Sequence, residues 1–249
     1  AMPPPVPVTV SGKVSVIPLG FDLSRFQVDP ELKRRLFRSV YGVGDDEIAI
    51  GIIGRLVPVK DHDLFLEVIR QVAAGTERPV RAFIVGDGEE RGRLEQRARD
   101  LGLSVAVGPQ FNGHGFGHGT GHRPAVPRAT ITFTSWIKEV DVVNAGLDVV
   151  VLTSRNEGTP VSLIEAQAAN RPIVSTRVGG IENVVLAGRT ALLSPPGDAV
   201  HLATDLMRLV NDADLRDELG KGGWEHVRER YHYTRLMRDM AQLYHSLLS

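Results

Sequence analysis

Seven short apolar runs, separated by stretches with helical spacing, restrict the fold of this chain more than any other feature. Most runs are apolar at every position, which is typical of strands buried on both faces of a parallel sheet. The predicted strands are 48–53, 80–85, 104–107, 131–134, 149–152, 173–176 and 191–193. The predicted helices between and after them are 61–73, 89–101, 140–145, 160–169 and 181–186. Repeated βα units predict an α/β, Rossmann-like, doubly wound parallel sheet with ligand loops at the carboxyl ends of its strands.

The N-terminal residues have a different pattern. The Pro-Pro-Pro-Val-Pro run at 3–7 cannot form a helix interior and favours an extended spacer. We interpret 1–13 as a linker or the start of a cloned fragment, and we predict a short strand at 14–18. The rest of the chain, 14–249, is predicted to form one domain.

Two further helical regions flank the alternating part of the chain. Asp29 followed by Pro30 predicts the N-cap and first residue of a helix that reaches about Val40. From Asp198 onward, apolar residues recur at the spacing of one buried helical face. These residues are Ala199, Leu202, Leu206, Leu209 and Val210.

One glycine-rich segment, at about 109–130, interrupts the alternation. Its composition cannot offset the entropy lost in regular structure, so we predict a surface loop inserted between two strands. His114, His118 and His122 are spaced four apart and could ligate a metal. Solvated imidazoles are the favoured interpretation, because a glycine-rich loop does not supply the supporting contacts that orient metal ligands. We therefore predict no metal site.

Charge and composition exclude several classes of function. The 29 basic and 30 acidic residues give a net charge of −1, so no overall field attracts nucleic acid, and any anion must be held locally. The absence of cysteine excludes thiolate nucleophiles and cysteine-ligated zinc. No apolar run approaches the roughly 20 residues of a membrane span, which predicts no transmembrane segment. These features are compatible with a cytoplasmic location, and with peripheral membrane attachment of a longer protein.

Several motifs of common enzyme classes are absent from the sequence. Neither the dinucleotide pattern G-x-G-x-x-G nor a Walker loop occurs, which disfavours dehydrogenases and P-loop NTPases. Neither a G-x-S-x-G elbow nor an H-E-x-x-H helix occurs, which disfavours a serine hydrolase or a zinc protease.

A candidate phosphate site follows the first core strand. Gly54 and Arg55 come directly after that strand, and Lys60 follows just before a helix. A guanidinium fork and an ammonium point charge together form a plausible clamp for a diphosphate. Solvated surface cations are the alternative, but the place of these residues at the ligand edge of the sheet favours a site.

The segment 157–165 is the strongest single indication of a ligand site, because it directly follows the strand at 149–152. Thr159 is predicted to be an N-cap and Pro160 the first helical residue, which leaves free N–H groups where a phosphate could bind. Glu157 lies before this helix and Glu165 well inside it, so the two carboxylates can contact different parts of one elongated ligand. Glycine turns that follow two other strands, at 86–88 and 179–180, are weaker indications.

Four segments, taken in order along the chain, carry a resemblance to a known family. They are 16–22, 54–61, 85–88 and 157–165. With Glu157 and Glu165 eight positions apart, as an E-x7-E motif requires, the ordered set resembles the C-terminal, donor-binding domain of GT-B retaining glycosyltransferases of family four. The resemblance covers nearly the whole chain except the glycine-rich insert.

The resemblance implies a role for each candidate residue. Arg55 and Lys60, with Gly54 and Gly86 beside them, would bind the donor diphosphate, and Glu165 would bind the ribose hydroxyls. Glu157 would contact the transferred sugar and the β-phosphate, together with the backbone of Gly158, Thr159, Pro160 and Val161. The nucleotide base would lie near Ser135 and Trp136.

The resemblance also implies an activity. Such a domain binds a nucleoside diphosphate sugar, with a UDP-sugar the expected donor, and needs no further cofactor. Transfer to an acceptor, with retention of anomeric configuration, would require an N-terminal acceptor domain that is missing here, so this chain alone should be nearly inactive. Two alternatives remain open: a sugar-nucleotide-binding module without chemistry, and a Rossmann-like scaffold whose insert binds a metal or a partner.

Overall fold

The computed structural model describes residues 10–11, 14–109 and 130–248. The strands are β1 Val10–Ser11, β2 Val14–Ser15, β3 Ile48–Ile53, β4 Val80–Val85, β5 Val105–Val107, β6 Ile131–Phe133, β7 Val149–Leu152, β8 Ile173–Thr176 and β9 Ala191–Ser194. The helices are α1 Pro30–Tyr41, α2 His62–Gly75, α3 Arg91–Asp100, α4 Val140–Gly146, α5 Val161–Ala168, α6 Ile181–Val184, α7 Ala199–Asn211, α8 Ala213–Lys221, α9 Gly223–Tyr231 and α10 Tyr233–Leu248. Short 3-10 turns occupy Ser24–Gln27 and Pro58–Lys60.

Seven strands form one parallel sheet in the order β5-β6-β4-β3-β7-β8-β9. From the central strand β3 the chain builds one half of the sheet through β4, β5 and β6, and it then returns to the other side of β3 to form β7. The point where the strand order reverses therefore lies between β3 and β7. In open α/β sheets, ligands bind outside the carboxyl ends of the strands at such a point.

Helices cover both faces of this sheet, so its strands are buried on both sides. Alternate residues of β3 belong to opposite cores: Ala49 packs with α1, α4 and α5, whereas Ile50 packs with α2 and α7. On the first face, Phe37 packs against the ring of Phe83 with centroids 5.2 Å apart. Continuously apolar strands are the sequence pattern that this arrangement requires, and the predicted doubly wound fold is confirmed.

The predicted helical tail is also confirmed. α7 buries Leu202, Leu206 and Leu209 on one face. The carboxylate of Asp198 caps this helix by accepting a hydrogen bond from the N–H of His201 at 2.9 Å. α8, α9 and α10 then complete the described chain.

One of the two predicted N-caps is wrong, although both helices exist. Asp29 is the N-cap of α1, followed by Pro30 as the first helical residue, as predicted; its backbone is left-handed, with φ 47°, and within the described chain its side chain makes no capping hydrogen bond. Thr159 is not the N-cap of α5, because Pro160 occupies that position with an extended ψ of 92° and the helix begins at Val161. The predicted strand at 14–18 is also shorter, since only Val14–Ser15 pairs, antiparallel with β1.

Two features of the sequence lie outside the described residues. These are the proline run at 3–7 and most of the glycine-rich insert, including His114, His118 and His122. Across the ranges that are described, no helix is both long and apolar enough to cross a bilayer.

Candidate functional site

The predicted site residues gather at the carboxyl edge of the sheet. Gly54, Arg55 and Lys60 follow β3, and Gly86 follows β4. Ser135 and Trp136 follow β6, and the segment 157–161 follows β7. These four strands are consecutive in the sheet, so residues distant in sequence border one crevice at the strand-order reversal.

The centre of this crevice is an ion pair between two of the predicted residues. The ammonium of Lys60 lies 2.5 Å from Oε1 of Glu157, and the hydroxyl of Ser154 donates to the same oxygen at 2.6 Å. The Glu157 side chain is 10% exposed and the Lys60 side chain 21% exposed, so both groups still reach the solvent. The ion pair joins the loop after β3 to the loop after β7.

Arg55 follows Gly54 in the loop after β3, at the same edge of the sheet. Its side chain is exposed, and it has no hydrogen-bond or ion-pair partner among the residues that the structure describes. An exposed guanidinium without an internal partner can offer its full set of donors to an anion. This is the property that the predicted diphosphate site requires of Arg55.

Gly54 and Gly86 hold the two neighbouring loops in close contact. The N–H of Gly54 donates to the carbonyl of Val85 at 3.0 Å. A Cβ atom at Gly86, where φ is +144°, would lie only 1.9 Å from the Gly54 carbonyl oxygen. Packing alone therefore requires glycine at Gly86, and its contact with a ligand stays a prediction.

The loop that precedes α5 is fixed by contacts with the neighbouring loop at Gly180 and leaves open space at Gly158. The carbonyl of Glu157 accepts a hydrogen bond from the N–H of Gly180 at 2.8 Å. A Cβ at Gly180 would lie 1.8 Å from the carbonyl oxygen of Gly158, so these two loops touch through backbone. A Cβ at Gly158, by contrast, would meet no atom within 4 Å, which leaves space for a ligand. Thr159 is exposed and Pro160 is buried.

Glu165 lies one turn inside α5, and its surroundings differ from those of Glu157. Its side chain is half-buried and has no hydrogen bond within the described part of the chain. Burial raises the pKa of Glu165 to about 7, with Arg25 lowering the pKa and Asp141 raising it to smaller extents. The charge of Arg25 is already shared with Asp141, 3.3 Å away. A carboxyl kept from water without a partner is a ready acceptor for ligand hydroxyls.

Beyond β6, the structure places Ser135 and Trp136 at the same edge. The guanidinium of Arg91 holds this turn by donating to the Thr134 carbonyl at 2.8 Å and to the Ser135 hydroxyl at 3.3 Å. The Trp136 side chain is 55% exposed. An exposed indole is a suitable surface for stacking of a nucleotide base.

Several residues that shape the site were not assigned a role from the sequence. Thr153 and Ser154 lie directly after β7. The Thr153 hydroxyl donates to the carbonyl of Lys60, and the Ser154 hydroxyl donates to the carboxylate of Glu157. His62, the first residue of α2, is 1% exposed, and neither ring nitrogen has a hydrogen-bond partner among the described residues. Burial, and secondarily Lys60, lower the pKa of His62 to about 4, so the ring is neutral at physiological pH. For Thr153 and Ser154, the signal available in the sequence was two polar residues directly after an apolar strand.

Acidic and histidine side chains form no metal-binding group in the part of the chain that is described. No group of three or more of them lies close enough together there to hold a metal ion. Arg55 and Lys60 place two positive charges in the loop after β3 at this edge.

The sequence matches the family model described as "Glycosyl transferases group 1" over residues 47–212, about two thirds of the chain. Among similar curated proteins is the D-inositol 3-phosphate glycosyltransferase of Corynebacterium urealyticum, 28% identical over 94% of this chain and 51% of that protein. The enzyme of the same name from Kribbella flavida is 31% identical over 86% of this chain and 47% of its own length. The chain therefore spans about half the length of these relatives.

Solved structures share the fold. Anabaena Alr3699/HepE, in complex with UDP and glucose, superposes with a TM-score of 0.73 at 19% identity, over 91% of this chain and 55% of that one. Sucrose-phosphate synthase from Thermosynechococcus elongatus gives 0.70 at 25% identity, over 93% and 52%. The C-terminal domain of a group 1 glycosyl transferase, LpcC from Francisella tularensis, gives 0.65 at 21% identity, over 86% of this chain and 99% of that one. The predicted GT-B type of fold is confirmed.

Proposed function

Because the chain belongs to the group 1 glycosyltransferases, we propose that it is the donor-binding domain of a retaining enzyme that uses a nucleoside diphosphate sugar. The observation that carries the proposal is the Lys60–Glu157 ion pair at the strand-order reversal, beside a guanidinium without an internal partner at Arg55. UDP is the expected nucleotide, since solved relatives of the same fold are described in complex with UDP and UDP-glucose.

In this proposal the donor lies across the crevice. Arg55 and Lys60 bind the diphosphate, and Glu157 contacts the transferred sugar. Glu165 accepts hydrogen bonds from the ribose hydroxyls. Its carboxyl is half-buried and has no hydrogen bond in the described chain. Trp136 and Ser135 border the base.

The same groups would assist bond cleavage. Breaking the bond between the sugar and the β-phosphate places negative charge on the departing nucleoside diphosphate. Arg55, Lys60 and the free N–H groups at the start of α5 stabilise that charge without reorganisation. We expect the protein to need no cofactor besides the donor, because its own cations supply this stabilisation.

The acceptor would bind elsewhere. Since the chain spans about half of its curated relatives, we propose that an N-terminal domain supplies the acceptor site. The chain alone should then bind the donor and transfer sugar poorly or not at all. Joining it to that domain should restore transfer if the protein is an enzyme, and should not if it is a binding module.

Calorimetry with UDP, GDP and UDP-glucose tests the diphosphate site. Arg55→Ala removes charge-assisted hydrogen bonds worth about 1.5 to 3 kcal/mol, so UDP affinity should fall by about 10- to 150-fold. Arg35→Ala is a matched control, because Arg35 is also exposed and, among the residues described, unpaired, but it lies on α1 away from the crevice. Equal affinities in the two variants would remove Arg55 from the site.

A further inference from the structure

Two consecutive hydroxyl residues follow the apolar strand β7, and both are buried. Thr153 is 1% exposed and Ser154 is fully buried. A buried hydroxyl costs free energy unless it is hydrogen-bonded. The hydrogen-bond partners of these two hydroxyls therefore indicate why the apolar run of β7 is followed by hydroxyl residues.

Thr153 contacts the loop that carries Lys60. Its hydroxyl lies 3.0 Å from the carbonyl oxygen of Lys60 and 3.0 Å from that of Asp61, and its single proton is shared between them. The chain makes a sharp turn at Asp61, which has a left-handed backbone with φ 50° although it is not glycine. Such a conformation persists only where its surroundings hold it. Thr153 is one of the groups that hold this turn.

A neighbouring residue reinforces the same connection. The N–H of Arg155 donates to the carbonyl of Val59 at 2.9 Å, and its guanidinium lies 2.8 Å from the carboxylate of Asp61. The Arg155 side chain is 67% exposed, so this ion pair contributes little compared with the buried hydroxyl of Thr153.

Ser154 contacts the side chain of Glu157, whereas Thr153 contacts the loop that carries Lys60. Its hydroxyl donates to Oε1 of Glu157, the oxygen that also faces the Lys60 ammonium. The Ser154 carbonyl accepts a hydrogen bond from the hydroxyl of Thr176 at 2.7 Å, which fixes Ser154 from β8. Oε2 of Glu157 has no hydrogen bond in the described residues, so the pairing at Oε1 leaves this second oxygen for a ligand.

From these contacts we propose that Thr153 and Ser154 are positioning residues that hold Lys60 and Glu157 in register across the two halves of the sheet. The proposal rests on the proposed function, in which Lys60 binds the diphosphate and Glu157 binds the sugar. Neither hydroxyl touches the ligand. Thr153 acts through Lys60, and Ser154 acts through Glu157, so their losses should have different consequences for UDP and for UDP-glucose.

The test compares the dissociation constants of UDP and UDP-glucose in variants of the 249-residue chain. Thr153→Val should weaken both ligands at least fivefold, and Thr153→Ser should restore both to within twofold of the parent. Ser154→Ala should weaken UDP-glucose at least fivefold and change UDP by less than twofold. If Thr153→Val does not fold, Thr153→Ala carries the same expectation.

Two control variants remove buried hydroxyls elsewhere in the sheet. Thr132→Val acts on β6, where the Thr132 hydroxyl has no hydrogen-bond partner in the described ranges. Ser175→Ala acts on β8, where the Ser175 hydroxyl donates to the carbonyl of Thr176. Melting temperatures of all variants are measured alongside. Unchanged affinities in Thr153→Val and Ser154→Ala, or equal losses of both ligands in Ser154→Ala, would overturn the positioning roles alone. A parent chain that binds neither nucleotide would overturn the proposed function and these roles with it.

Discussion

The two edges of the central sheet use the same kinds of charged residue in opposite ways. At the amino edge, Arg38 is 5% exposed and donates to Asp148 at 3.1 Å and to the carbonyl of Glu47 at 2.8 Å. Asp148 also accepts from Arg34 at 2.7 Å and from the N–H of Ala49 at 2.7 Å. The charged groups of this edge are paired with one another, which is what a structural role requires.

The carboxyl edge leaves some of its charged groups available. Arg55 has no partner in the described chain, and Glu165 is half-buried without a hydrogen bond there. Even the Lys60–Glu157 pair uses only one carboxylate oxygen. The comparison shows that residue type alone does not reveal a functional site. What distinguishes the two edges is how completely the protein pairs its own charged groups.

The largest expected effect is on the amino edge. Asp148→Asn leaves the buried guanidinium of Arg38 without its counter-charge, which should cost about 3 to 5 kcal/mol and lower the melting temperature by about 6 to 20 °C. Glu182→Gln is the control, because Glu182 forms an exposed ion pair with Arg177 and should cost less than about 1 kcal/mol. Similar melting temperatures for the two variants would contradict the structural role of the amino edge.

On the carboxyl edge, Glu157→Gln should separate the two ligands. Removing this carboxylate frees Lys60 for phosphate, so UDP affinity should be retained or increased. UDP-glucose should bind about tenfold or more weakly, because a charge-assisted contact with the sugar is lost. Calorimetry with both ligands measures this difference, and a parallel loss of both affinities would exclude the assignment of Glu157 to the sugar.

The raised pKa of Glu165 predicts a pH dependence of binding. An ionised carboxylate is the better acceptor for ribose hydroxyls, and its pKa is about 7, so affinity should fall by up to about tenfold between pH 8 and pH 6. UDP-glucose is the suitable probe, since its diphosphate does not titrate in this range. In Glu165→Gln, binding should be weaker at pH 8 and nearly independent of pH. A pH dependence that survives this substitution would assign the titration to another group.

The raised pKa of Glu165 also predicts a pH dependence of stability, opposite in sign to that of donor binding. Because the folded pKa of Glu165 lies above its unfolded value, the folded state holds the proton more tightly, and stability falls as pH rises through the interval from about 4.5 to about 7. Glu165→Gln should therefore raise the melting temperature at pH 8 relative to the parent, with little effect at pH 4. A destabilised variant at pH 8 would indicate that the carboxylate has a structural partner.

The smallest effect is expected for the glycine-rich insert, whose composition offers almost no side chains for a core. Replacing 111–122 with a short Gly-Ser link should change the melting temperature by only a few degrees, equivalent to less than about 1 kcal/mol. The measurement is repeated with added zinc. A rise with zinc in the parent alone would indicate that the histidines of this segment bind metal.

Sequence alone was sufficient for the fold because burial on both faces leaves a strong pattern. Four strands, β3, β4, β7 and β8, have the predicted bounds. The helix starts were less predictable. Thr159 and Asp29 are good capping residues by type, but α5 has Pro160 as its N-cap, and Asp29, although it is the N-cap of α1, has a left-handed backbone and makes no side-chain capping hydrogen bond in the described chain.

The site was predictable only as a set of positions. Residues that follow strands could be identified, but the Lys60–Glu157 pair joins positions 97 residues apart and depends on which strands are neighbours. Strand order is a property of the whole sheet and leaves no local trace in the sequence. For the same reason, Thr153 and Ser154 could be seen after β7, whereas their partners could not be deduced.

The strand-order reversal also has a consequence for local unfolding. β3 pairs with β4 along six residues but with β7 along only two, Ile50 with Val149 and Gly51 with Val150. This short pairing is the seam between the two halves of the sheet, and the Lys60 and Glu157 side chains lie on opposite sides of it. A donor bound by both would cross-link the halves, and binding to the closed form alone stabilises that form. Amide hydrogens along the seam should therefore exchange more slowly when the donor is present, which makes hydrogen exchange a measure of occupancy that needs no catalytic turnover.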